Sequence, residues 1–176
     1  MSETSKKHKE SAPKHLKFAV YVCSTSRYHE LQKGEKITDV SGDAIEALLK
    51  DSGHRVLYKK IIADDESLIA EAVKNVLNSA ELDAVIFCGG TGIGPKDVTI
   101  ETVQPFLEKV LPGFGEIFRR LSYDKVGSAA VMSRALAGVA KGKALFCIPG
   151  SPDAVRVSVE MLILPEAPHI VRHIRE

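Results

Sequence analysis

Two apolar runs of strand length, residues 16–24 (LKFAVYVCS) and 83–88 (DAVIFC), show no alternation of polar and apolar side chains. A strand with both faces apolar has to be covered on both, which is the situation of a parallel sheet between layers of helices. The segments between them supply such helices. Ala44, Ile45, Leu48 and Leu49 recur at helical spacing over about 38–52, and Gly53 ends the pattern. Leu68, Ile69, Ala72, Val73, Val76 and Leu77 form a second stripe, capped by Asp64 or Asp65. Between these helices, residues 54–62 read as a strand, and a polar loop is expected from the first strand through Lys36. Further on, a helix is predicted near Thr99, another from Pro112-Gly113, and a hairpin or strand pair over 139–148 turned at Lys141-Gly142-Lys143. Two final helices, 152–164 and about 166–174, are predicted to be split by Pro165. Strand–helix alternation of this kind implies an α/β fold with a largely parallel sheet.

The 176 residues suit one domain, expected to span 16–176, and a hydrophobic content of 44% is enough for a sizeable core. Residues 1–15 (MSETSKKHKESAPKH) are almost free of large apolar side chains and are expected to form a disordered basic tail. The 24 basic and 23 acidic side chains give a net charge of +1, which argues against nucleic-acid or membrane binding through bulk charge. No apolar stretch approaches the roughly 18 residues of a membrane span. The three cysteines end apolar runs, are far apart in sequence and read as buried thiols. With no signal peptide, that odd count points to the reducing cytoplasm.

The feature that carries chemistry is Gly89-Gly90-Thr91-Gly92-Ile93-Gly94-Pro95-Lys96-Asp97-Val98-Thr99. Glycines packed this densely after a buried strand let the backbone turn tightly and aim N–H groups at an anion. Gly90, Gly92 and Gly94 give G-x-G-x-G rather than the dinucleotide pattern, and Pro95 stands where a P-loop needs glycine. Asp97 leaves this loop and Asp64 follows the second strand; either can be a simple helix cap. If both face one cleft beside a phosphate, they need a cation between them, and oxygen donors suit Mg²⁺. Pro149-Gly150-Ser151-Pro152 also follows a strand and opens a helix, a second place for a phosphate. His169 and His173 stand four apart on the last helix. That spacing can ligate a metal, but no third ligand is near in sequence, and a partly exposed helix face accounts for them.

An ordered set of motifs runs through the chain: Asp39-x-x-Gly42, Asp64, Gly89-Gly90-Thr91-Gly92 with Asp97-Val98-Thr99, Ser133-Arg134, and Pro149-Gly150-Ser151-Pro152. In this order it resembles the MoaB/MogA family of molybdenum cofactor biosynthesis proteins, over nearly all of the chain after the tail. The resemblance implies a three-layer α/β/α sandwich assembled as a homo-oligomer, a trimer or hexamer, with its site above the strand ends. It implies molybdopterin and ATP as partners, Mg²⁺ as cofactor, and transfer of AMP to the terminal phosphate of molybdopterin. Asp64 and Asp97 match the family's required aspartates, as catalytic and metal-binding groups. Ser133, with Arg134, Thr91 and Asp39, falls to the substrate side. Gly89, Gly90, Gly92, Pro149, Gly150 and Ser151 match the nucleotide and phosphate loops. Arg134 is expected at the developing or terminal charge, although a plain surface arginine fits the sequence as well.

One departure stands out. Many relatives carry Ser-Asp after the first strand, whereas this chain has Ser24-Thr25-Ser26-Arg27. Two alternatives to an adenylyltransferase follow: a non-catalytic molybdopterin carrier or assembly protein, and a nucleotide-processing enzyme that shares the fold.

Overall fold

The computed structural model describes residues 13–176, so most of the expected tail, residues 1–12, lies outside the described residues. Six strands form one sheet: β1 (Lys17–Cys23), β2 (Arg55–Ile62), β3 (Ala84–Cys88), β4 (Lys109–Val110), β5 (Leu136–Ala140) and β6 (Lys143–Ile148), in the order β2-β1-β3-β6-β5-β4. β2, β1, β3 and β6 run parallel; β5 is antiparallel to β6 and β4 antiparallel to β5.

Period-2 alternation sorts each central strand between two cores. Phe18, Val20 and Val22 of β1, Ala84 and Ile86 of β3, and Phe146 and Ile148 of β6 face one side. There they meet Ile45 and Leu49 of α2 (Val40–Asp51) and Val155 of α6 (Pro152–Ser158). Ala167 and Val171 of α7 (Leu164–His173) complete that core. Ala19, Tyr21, Val85, Phe87 and Leu145 face the other side, against Ile69, Ala72, Val73 and Val76 of α3 (Glu66–Asn78) and Ile100 and Val103 of α4 (Thr99–Val103). Helices on both faces of the sheet make the three-layer α/β/α arrangement. α5 (Pro112–Val126) flanks the first core through Phe114 and, through Phe118, a small cluster with Val157 and Leu162.

The chain departs from its sequence pattern in four places. The polar loop after β1 contains α1 (Thr25–Gln32), which buries no residue and so has no apolar stripe to reveal it. β4 is only two residues long, too short for any periodicity. The hairpin strand begins at Leu136 rather than residue 139, and its two-residue turn has Lys141 at φ 46° and Gly142 at φ 70°, the signs of a type I′ turn. Pro165 does not split the final helices. α6 passes through a π-helical segment, Val159–Ile163, directly into α7. The wider i→i+5 winding accommodates the proline's missing N–H and its ring next to that segment. Among the described residues, no helix is long and apolar enough to cross a membrane.

Chain direction reverses at the sheet's centre. From β1 the chain crosses by α2 to β2 on one side, and returns by α3 to β3 on the other side of β1. At such a switch point the loops beyond the carboxyl ends of adjacent strands separate and leave a crevice. Phe146, 1% exposed on the central strand β6, anchors the core beneath it. Phe146→Ala is expected to lower unfolding free energy by about 3–5 kcal/mol, read as a shifted urea midpoint at unchanged m-value.

Candidate functional site

Four strand ends converge at the crevice. β3 ends in Cys88 and turns at Gly89, whose φ of 105° and position leave no room for a side chain: a Cβ there would lie 2.3 Å from the Cys23 carbonyl oxygen at the end of β1. The Gly89 amide donates to the Ile148 carbonyl at the end of β6 (2.9 Å), and Gly150 packs 3.4 Å, measured from a Cβ position, from the Gly89 Cα. Glycine therefore lets three backbones come together at one point. Gly90, at φ 61°, follows the same logic: a Cβ would fall 2.7 Å from Asp64 Oδ1 and 2.4 Å from Thr99 Oγ1.

These contacts place the expected aspartates. Asp64, beyond β2, accepts two hydrogen bonds at Oδ2 from Thr25, one from the backbone N–H and one from the hydroxyl, both 2.9 Å. The Asp64 amide in turn donates to Thr25 Oγ1 at 3.0 Å. Oδ2 is thus engaged, and Oδ1 faces Gly90 with no hydrogen-bond donor among the described residues. Asp97 closes the glycine loop on itself: its Oδ2 accepts from the Gly94 amide (2.9 Å) and sits 2.6 Å from where a Gly92 Cβ would be. The two carboxylates flank Gly90–Gly92, each with one oxygen uncommitted. The Gly90, Thr91 and Gly92 amides donate to no carbonyl or side chain among the described residues.

Arg134 does not stand free for a ligand. Its Nε donates to the Thr91 carbonyl (3.0 Å) and its terminal nitrogens form a two-pronged pair with Glu101, NH2 to Oε2 at 3.2 Å. These bonds tie the glycine loop to α4. Arg134 in return holds the Glu101 carboxyl below its usual range. Thr91 is only 3% exposed, so its side chain is covered and its backbone is what the loop presents. Ser133 lines a separate cavity of about 120 Å³ with Pro149, Ser151, Ser122 and Phe118. Ser151 caps α6 by accepting from the Ala154 amide (3.4 Å).

Asp39 stands behind the crevice. It caps α2 through the Gly42 amide (3.1 Å), is 6% exposed, and has Arg27 NH1 and Lys59 Nζ each at 3.6 Å. Burial works to lower the Lys59 pKa, but Asp43, Asp39 and Glu46 outweigh it and raise it. Asp39 thus caps a helix end beside two cations, with its buried Oδ2 accepting no hydrogen bond among the described residues, while Ser41, two residues on, donates to the Gly150 carbonyl (2.7 Å) and ties α2 to the second loop. Sequence reasoning missed Thr25 and Ser41. The polar run Ser24-Thr25-Ser26 after a strand was the available signal for the first; nothing local marks the second. The three cysteines are free and buried, and burial pushes the Cys23 and Cys88 thiols up to about 12, so none offers a thiolate.

Residues 19–169 match the family described as probable molybdopterin binding domain. The chain belongs to the MoaB/MogA family of molybdenum cofactor biosynthesis proteins. It is similar to molybdenum cofactor biosynthesis protein B of Bacillus subtilis (strain 168), with 42% identity over 170 residues and 96% of each chain covered. It is also similar to a Methanocaldococcus jannaschii protein named probable molybdopterin adenylyltransferase, at 41% over 163 residues, 93% of this chain and 96% of that one. Among solved structures, tungsten cofactor synthesizing protein MoaB from Pyrococcus furiosus superposes with a TM-score of 0.82 at 38% identity, covering 94% of this chain and 100% of that one. A crystal structure of a molybdenum cofactor biosynthesis protein B reaches 0.85 at 40%, covering 94% and 99%. Such relatives at near-full length bear out the family and fold expected from the ordered motifs.

Two tests follow from the clamps. Thr25→Val removes a hydroxyl donor to a carboxylate and is expected to cost about 1.5–3 kcal/mol, with Thr25→Ser near wild type, both read by urea unfolding. For Glu101 the folded pKa lies below its unfolded value of about 4.3. Its pairing therefore adds stability above that pH and loses it as pH falls through the folded value. Both partners are partly exposed, so Glu101→Gln should remove no more than about 1 kcal/mol at pH 7, and progressively less as the pH is lowered below the usual carboxylate range.

Proposed function

We propose that this chain is a molybdopterin adenylyltransferase, moving AMP from ATP to the terminal phosphate of molybdopterin. The observation that supports it best is the pair Asp64 and Asp97 on either side of Gly90–Gly92, each with an uncommitted carboxylate oxygen facing a loop of undonated amides. The relatives' names supply the substrate class.

The donor set fits Mg²⁺. Among the described residues no group of three or more His, Cys, Asp or Glu comes together. Magnesium in phosphate-transfer sites commonly uses one or two carboxylates and completes its shell with water and substrate oxygens. Asp64 Oδ1 and Asp97 are the residues that would hold it, and when bound it supplies positive charge between the ATP phosphates and the carboxylates. The attacking phosphate monoester has a second pKa near 6 and is mostly ionised at neutral pH, so no protein base is required. One of its oxygens bonds to the α-phosphorus of ATP as the bond to the bridging β-phosphate oxygen breaks, and pyrophosphate leaves with that electron pair. The residues align two anions and offer N–H donors to the charge that develops.

Within this scheme Gly90–Gly92 and Pro149–Ser151 take the nucleotide and its phosphates, and Ser133, which lines a cavity with Pro149 and Ser151, stands on the pterin side. Thr25 orients Asp64, and Arg134 fixes the glycine loop instead of meeting substrate. The exposed apolar side chains Ile117, Tyr123, Val126, Val131 and Met132 suit the contact of a homo-oligomer.

Incubation of purified protein with molybdopterin, ATP and Mg²⁺, followed by chromatography for adenylylated pterin, tests this directly. Asp97→Ala is expected to lower turnover by at least about 100-fold with the fold intact. Asp64→Ala should raise the Mg²⁺ concentration for half-maximal rate. Pterin binding by a folded sample that makes no product would replace the enzyme with a carrier role.

A further inference from the structure

We infer that the cavity beside Ser133 reads the aminopyrimidinone edge of a pterin, with Asp153 setting the specificity and Lys125 as its companion. The inference rests on the reading that puts the pterin beside Ser133. Asp153 stands in the first turn of α6 and Lys125 in the last turn of α5, and both line the cavity of about 120 Å³. Both residues are exposed, and neither side chain has an ion-pair or hydrogen-bond partner among the described residues. One anion and one cation thus stand open at the rim of the same small cavity.

Together they match one kind of ligand edge. An aminopyrimidinone ring carries in a row a carbonyl oxygen, a ring N–H and an exocyclic amino group, which is one acceptor followed by two donors. A carboxylate accepts from two adjacent N–H groups at once, as it does from an arginine fork. An ammonium has three donors and no acceptor, so it suits the neighbouring carbonyl oxygen. Asp153 and Lys125 therefore complement all three positions. Phe118 and Val157, 1% and 5% exposed, supply apolar wall for the face of the ring.

The rest of the cavity agrees with this division. Ser122 and Ser151 have tasks in their own helices: the first donates to the Phe118 carbonyl (2.8 Å), and the second caps α6. A space of about 120 Å³ is well below the roughly 300 Å³ at which pockets for whole ligands begin, so it takes one end of a flat ring. Guanine presents the same three-position edge. The position of the cavity beside Ser133, away from the loop that takes the phosphates, favours the pterin.

Pterins fluoresce, so titrating the full chain with 6-hydroxymethylpterin and with the corresponding lumazine tests this. The lumazine has an oxygen in place of the amino group and sets it against the carboxylate. Wild type is expected to bind the pterin at least about tenfold more tightly than the lumazine. Asp153→Asn should bring that ratio close to one. Lys125→Met should weaken both ligands alike, since both keep the carbonyl oxygen, with circular dichroism confirming the fold of each variant. Guanosine is expected to bind more weakly than the pterin, and tighter binding would overturn the pterin assignment. No pterin binding by wild type, equal affinity for pterin and lumazine, or a preference that survives Asp153→Asn would overturn the inference. The titrations need no ATP. A chain that discriminates but forms no adenylylated pterin loses the adenylyltransferase reading and keeps this one, and a chain that transfers AMP without discriminating does the reverse.

Discussion

Everything in the crevice depends on how closely β1 and β3 approach where they end. The Gly89 backbone lies against the Cys23 carbonyl at a separation that excludes any Cβ, and its amide is already spent on Ile148 of β6. With that contact in place, the loops after β1, β2, β3 and β6 have to share one small volume. The Thr25–Asp64 clamp, the Asp97–Gly94 closure and the Ser41–Gly150 tie then each fix one loop relative to another. Remove the close approach, and the carboxylates lose the loop they flank.

Committed and uncommitted atoms stand side by side in the crevice. Asp64 gives one oxygen to Thr25 and keeps one; Asp97 does the same with Gly94. Arg134 and Asp39, charged residues that the family motifs place on the substrate side, are paired with Glu101 and with Arg27 and Lys59. Both lie in the walls of the crevice. A charged residue in a family motif can thus contribute to a loop's shape.

What the sequence disclosed, and what it hid, follows from the range of each interaction. The unalternating runs of β1 and β3 and the helical stripes of α2 and α3 announced a sheet buried on both faces, because burial leaves its mark residue by residue. The glycine loop was visible for the same reason. α1 was hidden because it buries nothing, and β4 because two residues have no period. Thr25 meets Asp64 across 39 residues, and Ser41 meets Gly150 across 109; such pairings exist only once the sheet has formed. Pro165 misled because a proline's usual effect assumes α winding before it, and here the winding is π.

The two edges of the sheet carry a consequence for assembly. One edge is β4, a two-residue strand; the other is β2, which carries the exposed Lys60. A very short edge and a lysine-bearing one both discourage strand addition by a neighbouring chain. Copies of this protein therefore cannot readily join by extending the sheet into a ribbon.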